Sequence, residues 1–338
     1  MVLAVVVAFA ATACSSPASH TPQAASGRSS GAGGAAAGPA QGADPPAPTA
    51  PPTTEAPTTT TIPPLPTPVS IAPLTSPALA GEGIWTPAGD RLARGYAIYT
   101  TVLRPAPGYP EAGLAWVDSS ATNLVLYAGT AEPYGTWPHQ GTVEAAARPL
   151  LMAAFNSGFR IYDYRTGWYE NGVSAETLTA GAASLAIFPD GHATVGVWGS
   201  EIGPQSGAVA VRQNQSMLID NGVISPAVDV PSEWGAVLGG GTVTWRSGIG
   251  VTAAGDLVYA GGPSLTPRLL ADLLAAAGAV RAMQLDINPM WVSFVSYTHP
   301  GGLGTAGITG TNLLPGMYFG PDHYLTADSR DFLALFAK

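Results

Sequence analysis

Two apolar runs in this chain break into small polar side chains. Val280 to Leu285 ends in Asp286-Ile287-Asn288, and Leu150 to Phe155 ends in Asn156-Ser157-Gly158. A carboxylate or amide just past the carboxyl end of a buried strand sits where folds of helices and sheet gather ligands and catalytic groups. Two strands that end this way imply one shared pocket. A buried carboxylate must be hydrogen-bonded, ion-paired or functional. Asp286 is therefore the first candidate for chemistry, with a turn-capping role as the alternative. Asn288 either orients a ligand or opens the turn at Pro289. Asn156 either holds a sugar hydroxyl or phosphate oxygen or forms an ordinary Asn-Ser-Gly turn.

Cations are the natural complement. Arg246 follows Gly239-Gly240-Gly241 and sits beside Trp245. Its planar guanidinium suits bidentate recognition of phosphate or carboxylate, and a surface salt bridge is the alternative. Arg330, in Ser329-Arg330-Asp331, is a second such candidate, more readily read as a surface charge. Aromatic residues crowd the same stretches: Tyr162, Tyr164, Trp168, Tyr169, Trp234, Trp245, Trp291 and Tyr297. Sugars stack on such rings, although most rings belong to cores. His139, His192, His299 and His323 show no metal-ligand spacing. The triple glycine lacks the Lys-Ser/Thr of a phosphate loop, and no Gly-x-Ser-x-Gly elbow occurs. No cofactor is demanded and no metal ligand is assigned, though an acidic pocket would admit a divalent cation.

The elements that must position these residues are mostly strands. Short apolar runs alternate with Gly, Pro, Asn and Asp, and Pro189-Asp190-Gly191-His192, Asp220-Asn221-Gly222 and Ala254-Gly255-Asp256 read as hairpin turns. Helices are few. Thr266 to Ala277 carries Pro267 in its first turn, a Leu269, Leu270, Leu273, Leu274 face and Gly278 as a stop. A shorter helix is expected over Thr142 to Arg148. The class is α+β, with a mixed, mostly antiparallel sheet, in one large domain whose length also admits two subdomains.

Composition divides the chain. Met1 to Ala13 is almost wholly apolar and ends Ala11-Thr12-Ala13-Cys14-Ser15-Ser16, a pattern like a bacterial lipobox with Cys14, the sole cysteine, as the lipidated residue. Residues 14–80 are rich in Ala, Pro, Thr, Ser and Gly, too poor in apolar bulk to fold, and are expected to form a disordered tether. Residues 81–338 form the folded domain. The implied location is the outward face of a bacterial envelope, with a lipid anchor in the membrane. The chain's 22 acidic and 13 basic residues leave a formal charge of −9 with no basic stripe, which argues against nucleic acid.

Taken together, these residues resemble the phosphodiester glycosidase family. Its apolar run into Asn-Gly-Gly-Phe corresponds to Ala154-Phe155-Asn156-Ser157-Gly158-Phe159. Its Arg and Gly before a hairpin correspond to Arg246-Ser247-Gly248-Ile249-Gly250-Val251. Its Leu-Asp-Gly-Gly strand end corresponds to Leu285-Asp286-Ile287-Asn288, and a late arginine to Arg330. The likeness runs over most of Ala115 to Lys338. Ser157, Ile287 and Asn288 replace family glycines, which reshapes the pocket. The resemblance implies hydrolysis of sugar-1-phosphodiesters in phosphate-linked or cell-wall glycans. It implies Asp286 as catalytic carboxylate, Arg246 on the phosphate, and Asn156, Asn288, Trp291 and Arg330 on the substrate. The lost glycines support a second expectation, a non-catalytic glycan-binding module on the same fold.

Overall fold

The computed structural model describes residues 62–164, 166–235 and 241–338. Residues 60–338 cluster as one compact unit. The expected signal segment, Cys14 and most of the tether lie outside the described residues.

Hairpins of consecutive strands make seven of the fifteen strand pairs described. The Thr244–Thr252 strand turns through Gly255, at φ +90°, into Leu257–Leu265. Asn221 and Gly222 both take positive φ and join Met217–Asp220 to Val223–Ile224. Paired in this way, the strands make an eight-stranded sheet in the order Thr86–Leu92, Gly95–Leu103, Ala112–Val117, Leu257–Leu265, Thr244–Thr252, Ala279–Gln284, Met217–Asp220, Val223–Ile224. A five-stranded sheet runs Thr309–Asn312, Phe294–Thr298, Leu151–Asn156, Phe332–Ala337, Thr122–Tyr127. A smaller one runs Val173–Glu176, Trp168–Glu170, Ala210–Gln213, Ala183–Ile187, Ala193–Val197. The α+β class with mostly antiparallel sheets is borne out: every strand pair described is antiparallel, and parallel pairing is confined to the isolated bridges Ala128–Gln140 and Trp198–Ile202. In the hairpins, the short connection itself dictates antiparallel pairing.

The two larger sheets pack face to face. Ile98, Val117, Ile249, Tyr259 and Met283 from one meet Met152, Phe155, Leu124, Leu333 and Leu335 from the other. Leu151–Asn156 is buried along its whole length because loops and Tyr324 cover its far face. That double burial explains why its sequence is a continuous apolar run instead of an alternating one. The Pro267–Ala276 helix covers the outer face of the large sheet. Thr266 caps it, its Oγ1 accepting from Leu269 N at 3.2 Å, and buried Leu270, Leu273 and Leu274 hold it down. Each of those side chains contributes roughly 1.5–3 kcal/mol by burial, far more than helix propensity does.

Two expectations change. Thr142 to Arg148 forms turns followed by a single 3-10 turn, Arg148–Leu150, instead of a helix. Pro149 has no N–H to bond back along a helix. Residues 62–80, expected as part of the tether, lie against the domain. Leu65 is buried in the main core and donates its N–H to Arg94 O, Ile71 donates to Gly83 O, and the Trp85 indole donates to Val69 O, each at 2.9 Å. A Cβ on Gly83 would fall 2.0 Å from Ile71 O, so only glycine lets the segment approach.

Candidate functional site

Asp286 is fixed where the two large sheets meet. Its N–H donates to Ser157 O at 3.0 Å, while its carbonyl accepts from Ser247 N at 3.2 Å and Ser247 Oγ at 2.8 Å. The two strand ends singled out from sequence therefore converge. Asp286 is 5% exposed. Its Oδ1 accepts from Asn288 N at 2.8 Å, and its Oδ2 lies 3.1 Å from Arg330 Nη2. Burial pushes the carboxyl pKa up, and the Arg330 charge opposes that shift.

Arg330 is the hub of the site. Nη2 donates to Gly158 O at 3.2 Å as well as to Asp286. Nε stands 2.9 Å from Glu132 Oε1, an ion-pair contact without the alignment of a hydrogen bond. The guanidinium lies 5.4 Å over the Trp291 ring. Trp291 continues through Phe319 to His323, which stacks on Phe319 at 4.0 Å and pairs with Asp328 at 2.9 Å. Asp328 Oδ1 in turn accepts from the Arg330 N–H at 2.9 Å. Below this layer, Arg212 and Asp331 form a fully buried pair at 2.7 Å. Gly158 lies flat on that arginine, since a Cβ there would sit 3.2 Å from Arg212 Cζ.

The group opens on a cleft of about 390 Å³ lined by Asp286, Asn288, Trp291, Arg330, Arg160 and Tyr164, among others. That volume is within the range of small-ligand sites. Of the residues expected at the site, Asp286, Arg330, Trp291 and Asn288 come together. Asn288 is exposed, and its Oδ1 caps the turn by accepting from Met290 N at 3.0 Å.

Asn156 lines a small recess with Asp286, Trp291 and Arg330, whereas Arg246 lies apart from them. The Asn156 amide is saturated. Nδ2 donates to Ser157 O at 3.0 Å and Ser247 Oγ at 2.9 Å, and Oδ1 accepts from Tyr259 Oη at 3.0 Å and Ser293 N at 3.1 Å. An amide has two donors and two acceptor lone pairs, so none is left for a substrate. Arg246 points to the opposite face of the large sheet, because strand side chains alternate and its neighbour Ser247 faces Asp286. It is fully buried and donates to Gln284 Oε1 at 2.7 Å, Trp234 O at 3.1 Å, Thr242 O at 3.1 Å and Leu265 O at 3.2 Å. Desolvation lowers its pKa to about 10. Of the ringed residues, Trp168, Trp234 and Tyr297 are core.

The residue that sequence reasoning missed is Glu132. It is 4% exposed, pairs with Arg330 and with Arg160 Nε at 3.2 Å, and accepts the Ile161 N–H at 2.8 Å. Nothing in Ala131-Glu132-Pro133 signals this, because its partners lie far along the chain. Among the described residues, no group of three or more His, Cys, Asp or Glu side chains is placed to hold a metal. None of their helices is long and apolar enough to cross a membrane.

No family model matches this chain, and no curated protein does. Among solved structures, the chain is similar to the catalytic domain of zebrafish N-acetylglucosamine-1-phosphodiester alpha-N-acetylglucosaminidase, auto-inhibited by its pro-peptide. The identity is 14%, the TM-score 0.48, and the match covers 74% of this chain and 87% of that one. It is also similar to a hypothetical protein from Synechocystis, at 13% identity and TM-score 0.45, covering 76% of this chain and 65% of that one. Scores this low leave fold and chemistry to be argued from the chain's own residues.

Proposed function

We propose that this chain hydrolyses sugar-1-phosphodiester linkages in envelope or extracellular glycans, at the cleft where Asp286 meets Arg330. The observation that carries this reading is the buried Asp286–Arg330 pair at 3.1 Å, opening on the cleft beside Trp291. The bond to break joins the anomeric carbon to the phosphate oxygen. Water supplies the new oxygen on the sugar, and the phosphate departs as a monoester. Positive charge grows on the sugar ring, and a carboxylate beside it stabilises that charge. Negative charge grows on the departing phosphate, and a fixed cation supports it. Asp286 takes the first role and Arg330 the second. The phosphate role implied for Arg246 passes to Arg330, because Arg246 spends its donors on the far side of the sheet. Arg160, 60% exposed at the cleft, adds a second cation. Phosphate leaves readily, so a strong general acid is not required. Cys14 is proposed as the lipid anchor and the segment after it as the tether.

One observation favours a non-catalytic glycan-binding module instead: both Asp286 oxygens are already engaged, by Asn288 N and by Arg330. The two readings separate on turnover of a sugar-1-phosphodiester panel with Mg²⁺ supplied. Released reducing sugar and phosphomonoester that vanish in Asp286→Ala support hydrolysis. Saturable glycan binding lost in Trp291→Ala, with no product from the unmutated chain, supports the binding module.

A further inference from the structure

A second cavity, of about 410 Å³, lies between the Thr122–Tyr127 edge strand and the small sheet. None of its lining residues belongs to the Asp286 cleft. Glu170 is its distinctive group. The residue is 6% exposed, it lines the cavity, and its Oε2 is buried with no hydrogen-bond partner. Leaving a carboxylate oxygen unmatched is costly, and desolvation pushes this carboxyl up to about 7.

No arginine or lysine among the lining residues stands against Glu170. His139, which also lines the cavity, already lies 3.2 Å from Glu144 Oε1. Asp190, at the rim, is paired with His192 at 2.5 Å. The backbone offers further polar contacts. Leu124 N–H donates to Gly191 O and Ala128 N–H to His139 O, each at 2.9 Å, so this parity of the strand points away from its neighbour Phe332–Ala337. Leu126 shares that parity and lines the cavity, so its N–H and C=O face into it. Asn123 and Asn171 line the same space, and Phe188 provides an apolar wall.

We infer that this cavity is a binding site for a small polar ligand carrying a protonated amine, with Glu170 as its counter-ion and the Leu126 backbone as a donor–acceptor pair. The amine supplies the counter-charge that the Glu170 carboxylate lacks, while neutral polar groups of the ligand meet Leu126 and the asparagines.

The test is calorimetric titration of the chain with glucosamine, using N-acetylglucosamine as a probe with the same ring and no charge. Glucosamine is expected to bind and N-acetylglucosamine to bind at least about tenfold more weakly, the scale of a hydrogen bond to a charged group. Glu170→Gln, which keeps the shape, is expected to erase that preference. As a readout without mutation, carboxyl NMR of the unmutated chain should show the Glu170 titration moving to lower pH when glucosamine is bound. Equal affinity for the two probes, an unchanged preference in Glu170→Gln, or an unmoved Glu170 titration would overturn the inference.

Discussion

Asn156 was legible from sequence as a polar residue at a strand end, but not in its role. Three bonds tie Asn156 to the segments carrying Ser247, Tyr259 and Ser293. Asn156→Ala is predicted to strand the Ser293 N–H, leaving the Tyr259 hydroxyl only its longer bond to Ser293 O at 3.3 Å, and to cost roughly 1–3 kcal/mol. Urea unfolding measures that loss, and kcat per folded molecule should fall far less than stability does. Unchanged stability with activity abolished would return Asn156 to the substrate. Asp286 was legible because an apolar strand that breaks into a carboxylate is a local pattern. Glu132 and the Arg212–Asp331 pair were not, because ionic partners 198 and 119 residues apart leave no mark on local spacing.

At the scale of elements, the Arg246-Ser247-Gly248-Ile249-Gly250 strand does two jobs on two faces. Ser247 and Ile249 face the site and core, while Gly248 and Gly250 face the Pro267–Ala276 helix and the Ala279–Gln284 strand. A Cβ on Gly248 would sit 2.9 Å from Leu274 Cδ1, and one on Gly250 would sit 2.7 Å from Ala279 Cβ. The glycines therefore set the close approach of helix to sheet, and that packing fixes the strand end bearing Asp286. Gly248→Val is predicted to cost about 1–3 kcal/mol by overpacking, measured by chemical denaturation. A neutral result would show that the helix docks without this contact. The helix and hairpins were readable from sequence because cap, leucine spacing and turn glycines are local signals. Which face of the strand Arg246 occupies was not, because period-two alternation gives two faces without saying which one the pocket shares.

Over the whole molecule, the boundary of the domain is the largest departure from composition. Residues 62–80 look like linker, yet Leu65 and Ile71 dock on the domain and the backbone bonds across it. Burial at irregular intervals in an extended Pro-rich segment carries no period, so sequence patterning misses it. A chain beginning at Gly81 is predicted to be less stable than one beginning at Ile62 by roughly 2–4 kcal/mol for the lost burial. Matching melting curves would show that the segment docks without stabilising. The three-sheet architecture itself was anticipated in class but not in layering, because strand order is set by contacts far apart in sequence.

The most direct test of the central claim is kcat/KM on a sugar-1-phosphodiester for the chain from Ile62, comparing Asp286→Asn and Arg330→Gln with the unmutated protein. The account predicts a loss of about 10²–10⁴-fold in each, with folding retained. Full turnover in folded Asp286→Asn and Arg330→Gln would contradict it and place the chemistry elsewhere.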